Sequence, residues 1–325
     1  QEMTKKIKFS VVVAVYNRPQ EIEDLLNSIS NQKFKNFEVI IVDDGSEKSS
    51  REVFQNYREK MRLTYFFIQN KGPALARNFG VTKSSGDWII FFDSDCTIPE
   101  NYFFEVEKYI NNNKIDFYGG PDMMDESFTY LQKSINYSMT SYITTGGIRG
   151  KKRSVDKFLP RSFNMGIKRK SFDEVDGFSD IRQYGEDLDL SYKLLFGGNK
   201  SALIYNAKVF HKRRTNLIKF FWQMFKSGKG RHFLNLKYYS TFRLFHLFPT
   251  IFILIFILSQ ILYVFFGYKV GMFFQFIYLI YFVVIFIDST IINKNPLIGF
   301  LSFITTFVQF LGYGIGYIYG VLSKG

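Results

Sequence analysis

The chain has 325 residues, 46% of them hydrophobic and 19% aromatic, and a formal net charge of +13. That length allows two units, and the charge is unevenly placed: residues 1–189 hold 28 Asp and Glu against 27 Lys and Arg, whereas residues 190–325 hold 15 basic residues and a single acid, Asp288. A basic excess set beside long apolar runs points to an anionic membrane leaflet and argues against nucleic acid, while the lone Cys96 excludes an internal disulfide and fits a reducing compartment.

In chain order, residues 9–15 read as a buried strand, too short and too lacking in a cleavage site to be a signal peptide. Pro19 opens a helix with Ile22, Leu25, Leu26 and Ile29 on one face at i, i+3, i+4, i+7 spacing. Residues 37–42 form a second strand running into Asp43-Asp44-Gly45-Ser46, residues 65–68 a third, and residues 88–92 a fourth after a helix over roughly 73–83. Apolar strands joined by helices predict a parallel sheet covered on both faces, with its ligand crevice beyond the carboxyl ends of the strands. Tyr16, Asn17, Asp43, Asp44, Asn70, Asp93 and Asp95 all fall at that edge. Residues i and i+2 of a strand project the same way, so Asp93 and Asp95 suit a hard cation, Mn²⁺ or Mg²⁺, shared with phosphate oxygens. Further on, Leu188, Leu190, Leu194 and Leu195 anchor a helix that carries Glu186, Asp187 and Asp189 at its start. Those acids either complement the helix dipole or crowd one another so that one carboxyl works as a general base.

Residues 217–236 interleave Leu217, Phe220, Phe221, Met224 and Phe225 with Lys219, Lys226 and Lys229, the pattern of an interfacial helix. Uncharged stretches follow at 247–268, 270–287 and 295–323. A hydrocarbon core of roughly 30 Å needs about 20 helical residues, so the first and third suffice and the second is near the lower limit. Gly312, Gly314, Gly316 and Gly320 permit close helix packing and leave open whether the third stretch spans or lies along the interface. The basic residues before the first span predict that they and the globular part face the cytoplasm, making this a multi-pass protein of the inner membrane. The expected organisation is an α/β domain over 1–214, interfacial helices over 215–245 and an all-α membrane region over 246–325, with helices at 247–268, 270–287 and 296–322.

Val11-Val12-Val13-Ala14-Val15-Tyr16-Asn17, Val42-Asp43-Asp44-Gly45-Ser46, Ala76-Arg77-Asn78-Phe79-Gly80, Asp93-Ser94-Asp95, Asn164-Met165-Gly166-Ile167 leading to Asp176-Gly177-Phe178, and Gly185-Glu186-Asp187-Leu188-Asp189-Leu190 follow one another in this order. Together they resemble the motifs of family 2 glycosyltransferases, over roughly residues 7–214. The resemblance implies the Rossmann-like GT-A fold and inverting, metal-dependent transfer from a nucleotide diphosphate sugar, UDP by family frequency. It also implies site roles: Asp44 with Tyr16 and Asn17 at the nucleobase, Arg77 at the nucleotide or its phosphates, Asp93 at the ribose or a metal-bound water, Asp95 on the metal and His211 as a further ligand. Asp187, assisted by Glu186, is the expected general base, because displacement at the anomeric carbon needs the acceptor hydroxyl deprotonated opposite the leaving group.

Asp189, Gln223 and Lys226 are the expected acceptor contacts. Gln223 and Lys226 are only faintly like the Q-x-x-R-W motif of processive synthases, since Ser227 stands where tryptophan would, and the departure favours a single transfer. A soluble acceptor would not require three spans, so the expected acceptor is a hydroxyl of a polyprenyl-linked glycan among membrane lipids. Two rivals stand beside it: transfer to a polyprenyl phosphate, which needs no carboxylate base, and a catalytically silent subunit that binds nucleotide sugar. Residues 146–153 read as either a mobile basic loop over the substrates or a solvated turn.

Overall fold

The structure, a computed structural model, describes residues 8–148, 158–181, 185–266 and 268–323. Among the described residues, ten strands occur in chain order: β1 (Phe9–Val15), β2 (Phe37–Asp43), β3 (Leu63–Phe67), β4 (Trp88–Phe91), β5 (Cys96–Thr97), β6 (Phe117–Gly119), β7 (Asp122–Met123), β8 (Met165–Lys168), β9 (Ser201–Leu203) and β10 (Val209–His211). Seven form one sheet in the order β3-β2-β1-β4-β8-β6-β9, and β5-β10-β7 form a small second sheet. Phe9 pairs with both Phe37 and Trp88 in parallel register, so β1, β2 and β4 end together on one edge.

The continuous apolar run of β1 is explained by helices on both faces. Val11, Val13 and Val15 pack with Leu25 and Leu26 of the Pro19–Ser30 helix. Val12 packs with Ala76 and Val81 of the Pro73–Thr82 helix on the other side. That second helix comes close because Gly80 has no side chain: a Cβ there would lie 2.5 Å from Val12 Cγ1.

The four strands read from the sequence, β1 to β4, are parallel to one another as expected, and β8 makes the whole sheet mixed, which corrects the expectation of an all-parallel sheet. β8 runs antiparallel to both β4 and β6, because the chain enters it from the edge where β4 ends. That reversal delivers Ser162 and Asn164 to the same edge as Asp93.

Among the described residues, three helices are long and apolar enough to cross a membrane, over Leu244–Phe265, Gly271–Asn293 and Pro296–Leu322. The second continues beyond the expected 287, through Asp288, whose carboxylate accepts a hydrogen bond from the Tyr137 hydroxyl at 2.6 Å. A partnered acid need not end a helix. The third begins as expected at Pro296, with the Asn295 side chain accepting from the Leu297 and Ile298 amides.

The helix expected to be interfacial is Leu217–Lys237, and its buried side includes Phe220, Met224, Gly228, Arg231 and Leu234. It lies along the third apolar helix, backbone against backbone. A Cβ on Gly316 would stand 2.0 Å from the Phe225 carbonyl oxygen, and one on Gly228 would stand 2.1 Å from that of Tyr313. The glycines of the third stretch therefore serve helix packing, as small residues do in lipid.

Candidate active site

At the end of β2, Asp43 and Asp44 are both buried. Asp43 accepts from the Ser46 amide at 2.9 Å and the Tyr65 hydroxyl at 2.6 Å, so it braces the turn. Asp44 accepts from the Lys71 and Gly72 amides at 2.8 and 2.9 Å, tying the end of β2 to the loop after β3. Burial pushes the Asp44 carboxyl above its ordinary value despite those two donors. Asn17 takes φ of +55° and its side chain accepts from the Lys48 amide at 2.9 Å. Tyr16 beside it remains exposed. The edge thus presents an exposed ring next to loops held by buried carboxylates.

Asp95 and His211 are brought together by the second sheet. β10 pairs antiparallel with β5 so that His211 stands opposite Cys96, the neighbour of Asp95. His211 Nε2 lies 3.1 Å from Asp95 Oδ1. Burial would lower the imidazole, but the charges of Asp95 and Asp122 hold it above its ordinary value. Burial would raise the Asp95 carboxyl, yet His211, Arg18 and Arg214 hold it well below the usual range.

These residues fit a divalent ion. Neighbouring ligands on an octahedral ion with bonds of about 2.1 Å stand about 3 Å apart, the separation seen here. Cys96 lies within the same cluster. Burial pushes its thiol well up, so it keeps its proton and packs as a small side chain.

Arg77 is buried and bridges two acids: Nη2 donates to Asp93 Oδ1 at 2.7 Å and Nη1 to Glu186 Oε1 at 3.1 Å. Asp93 also accepts from Ser162 Oγ at 3.2 Å. Burial and the nearby Asp187 push Glu186 above its ordinary value, against the pull of Arg77. Asp187 keeps one oxygen on its own helix start, accepting from the Leu188 amide at 2.8 Å.

Residues 10–176 match the sequence model of glycosyl transferase family 2. The chain belongs to that family. An uncharacterized glycosyltransferase of Haemophilus influenzae is 34% identical to it over 193 residues, 57% of this chain and 61% of its own length. One of Rickettsia bellii is 36% identical over 137 residues, 42% of this chain and 20% of its own. The chain therefore spans a fifth and about three fifths of these two relatives. Among solved structures, Staphylococcus aureus TarS 1-349 in complex with UDP-GlcNAc has a TM-score of 0.51 at 20% identity, covering 72% of this chain and 73% of that one. The mannosyltransferase PcManGT from Pyrobaculum calidifontis, in complex with GDP-Man and Mn²⁺, has a TM-score of 0.57 at 15% identity, covering 74% and 66%. At these identities the likeness shows the GT-A fold alone.

In this family 2 glycosyltransferase, Asp93, Glu186, Asp187 and His211 line a cavity of about 460 Å³. The same cavity is lined by Gln223 and Arg231 of the Leu217–Lys237 helix and by Pro249, Gln309 and Tyr313 of the apolar helices. Gln223, an expected acceptor contact, therefore lines the cavity that also holds Asp187. Lys226 is exposed and away from the cavity wall.

Asp189 departs from expectation. It is fully buried and accepts from Lys237 Nζ at 2.5 Å, Ser179 Oγ at 2.6 Å and the Tyr238 hydroxyl at 2.9 Å, so it fastens its helix to the interfacial helix instead of meeting an acceptor. Of the basic segment 146–153, residues 149–153 lie outside the described residues. Sequence reasoning also missed Arg18, whose Nη1 donates to Asp95 Oδ2 at 2.6 Å, and Asp122, which pairs with Arg213 at 2.7 Å. Arg18 follows directly after Tyr16-Asn17 at the end of β1, and that placement was the available signal.

Proposed function

We propose that this protein is a membrane-bound inverting glycosyltransferase that moves one sugar from a nucleotide diphosphate sugar, with UDP the first choice, to a hydroxyl of a polyprenyl-linked glycan at the cytoplasmic face of the inner membrane. The observation that carries this reading is the cavity itself, which runs from Asp187 and Glu186 to side chains of helices apolar enough to lie in lipid. An acceptor with a lipid tail would reach the acids from that side, while a nucleotide would lie along the strand edge at Tyr16, Asp44 and Arg77. UDP-GlcNAc in TarS and GDP-Man in PcManGT support a nucleotide-sugar donor without choosing the base.

In the proposed step, Asp187 takes the proton of the acceptor hydroxyl. The oxygen attacks the anomeric carbon from the face opposite the diphosphate, the new carbon–oxygen bond forms, and the electron pair of the breaking bond leaves on the diphosphate. Mn²⁺ or Mg²⁺ held by Asp95 and His211 would supply Lewis-acid neutralisation of that diphosphate. Arg77 keeps Asp93 and Glu186 in place, and Arg18 offers a cation on the same side as Asp95.

The test is full-length protein in lipid vesicles containing short polyprenyl diphosphate-linked mono- and disaccharides, given labelled UDP- and GDP-sugars with Mn²⁺. Label should enter the solvent-extractable lipid with inverted anomeric configuration, and this should require Asp187. Label found only as free sugar or in water-soluble glycan would overturn the lipid acceptor.

A further inference from the structure

Arg231 is 9% exposed and lies on the side of the interfacial helix that faces the apolar helices. Its Nη1 donates to the Tyr192 hydroxyl at 3.3 Å, and no carboxylate of the described residues stands within ion-pair distance of it. A guanidinium taken out of water without a counter-charge is costly, and folded proteins retain such a group where an anion comes to meet it. The side chain lines the cavity that also holds Asp187. Gln309 of the third apolar helix, 6% exposed, lines the same cavity, and its amide N–H₂ can donate to an anion held there. Arg231, a buried cation with no counter-ion among the described residues, and Gln309 therefore line the same cavity as Glu186 and Asp187.

We infer that Arg231, with Gln309, binds the phosphate or diphosphate of the acceptor's lipid carrier. This rests on the lipid-acceptor reading above and adds to it a division of labour: the charged link between lipid and glycan is gripped at Arg231, and the sugar is thereby presented toward Asp187. A guanidinium suits this task because its planar fork of donors matches phosphate oxygens two at a time. A cation buried at this depth also rejects a neutral lipid alcohol, which could not repay its desolvation.

The experiment uses full-length protein in nanodiscs and three probes: farnesyl diphosphate, farnesol and inorganic diphosphate. Farnesyl diphosphate should raise the melting temperature and farnesol should not. Inorganic diphosphate alone should act only weakly, and an equal effect from it would assign the site to free phosphate and overturn the carrier reading. Arg231→Met should weaken farnesyl diphosphate binding roughly 10- to 100-fold, the range of a charge-assisted hydrogen-bond pair, and Arg231→Lys should restore part of it. Stabilisation by UDP with Mn²⁺ should persist in both variants, which shows them folded with an intact donor side. Unchanged farnesyl diphosphate binding in folded Arg231→Met would refute the inference. The lipid-labelling assay separates the two failures: wild-type-like labelling at wild-type KM in Arg231→Met sinks this inference alone, whereas no lipid labelling by wild type sinks the reading beneath it.

Discussion

Gly316→Ala tests whether the seam between the interfacial and third apolar helices sets the geometry of transfer. The added methyl would lie 2.0 Å from the Phe225 carbonyl oxygen, 2.7 Å from its carbon and 2.8 Å from its Cα, whereas ordinary contact begins at 3.4 Å. A gap of about 1.4 Å must therefore open, and because all three neighbours are backbone atoms no side-chain rotation can relieve it. Gly312 and Gly228 touch the facing backbone along the same seam, so the separation is shared over several turns. Overpacking of this kind costs about 1–3 kcal/mol, and a clash with backbone belongs toward the upper end. Gln223 and Arg231 on one helix and Gln309 on the other line the cavity, so the same movement displaces the acceptor wall from Asp187. A misplacement near 1 Å costs on the order of 10²-fold in rate. In nanodiscs, melting temperature and lipid transfer should both fall, transfer by about 100-fold, while stabilisation by nucleotide and Mn²⁺ survives. Gly314→Ala is the control, since its nearest neighbour would be the Pro249 carbonyl oxygen at 3.2 Å and a small adjustment suffices. Wild-type stability and transfer in Gly316→Ala, or an equal loss in Gly314→Ala, would refute the reasoning.

Asp187→Asn should lower turnover about 10²- to 10⁴-fold with nucleotide binding unchanged, read by single-turnover transfer and thermal shift; surviving activity would instead favour a phosphate acceptor that needs no base. Asp95→Ala and His211→Ala should each abolish the Mn²⁺-dependent part of donor stabilisation, measured with and without chelator; retention in both would remove these residues from the metal. Arg77→Met should destabilise the fold by about 3–5 kcal/mol, because Asp93 and Glu186 lose their shared buried cation, and chemical denaturation reads the loss directly. Asp189→Asn should cost about 1–3 kcal/mol at neutral pH. Burial would raise the Asp189 carboxyl, but Lys237, Ser179 and Tyr238 hold it below its ordinary value. Its contribution is therefore complete above the unfolded-state pKa and fades as pH falls through the lower folded one, so wild type and variant should converge in stability in acid.

The first four strands and two of the three helices between them were legible because each is a continuous apolar run or a clean 3.6-residue pattern, whereas the short helix Arg51–Tyr57 was not read. Ile22, Leu25, Leu26 and Ile29 are all fully buried, and β1 occupies the anticipated residues. The carboxyl-edge rule then located Asn17, Asp44 and Asp93 without further help. Direction was not legible: Met165–Lys168 is too short for its composition to distinguish parallel from antiparallel pairing. Nor was the small sheet, whose strands of two or three residues carry no periodicity, although its β5–β10 pairing is what sets His211 beside Asp95. Asp189 misled because three acids in one turn look alike in sequence, and only the fold shows that one faces inward. Its partners, Lys237 and Tyr238, sit at the C-terminal end of the Leu217–Lys237 helix.

The helix that carries Glu186 and Asp187 has its far side against the interfacial helix, where Leu188 and Tyr192 pack on Leu234 and Asp189 is clasped by Lys237 and Tyr238. The interfacial helix in turn is seated on the third apolar helix. Replacing the apolar helices with a generic single-span tether would keep the strand edge at Tyr16 and Asp44 whole but leave the helix of acids bare on one side. Loss or exchange of the apolar helices would thus change the setting of Glu186 and Asp187 themselves.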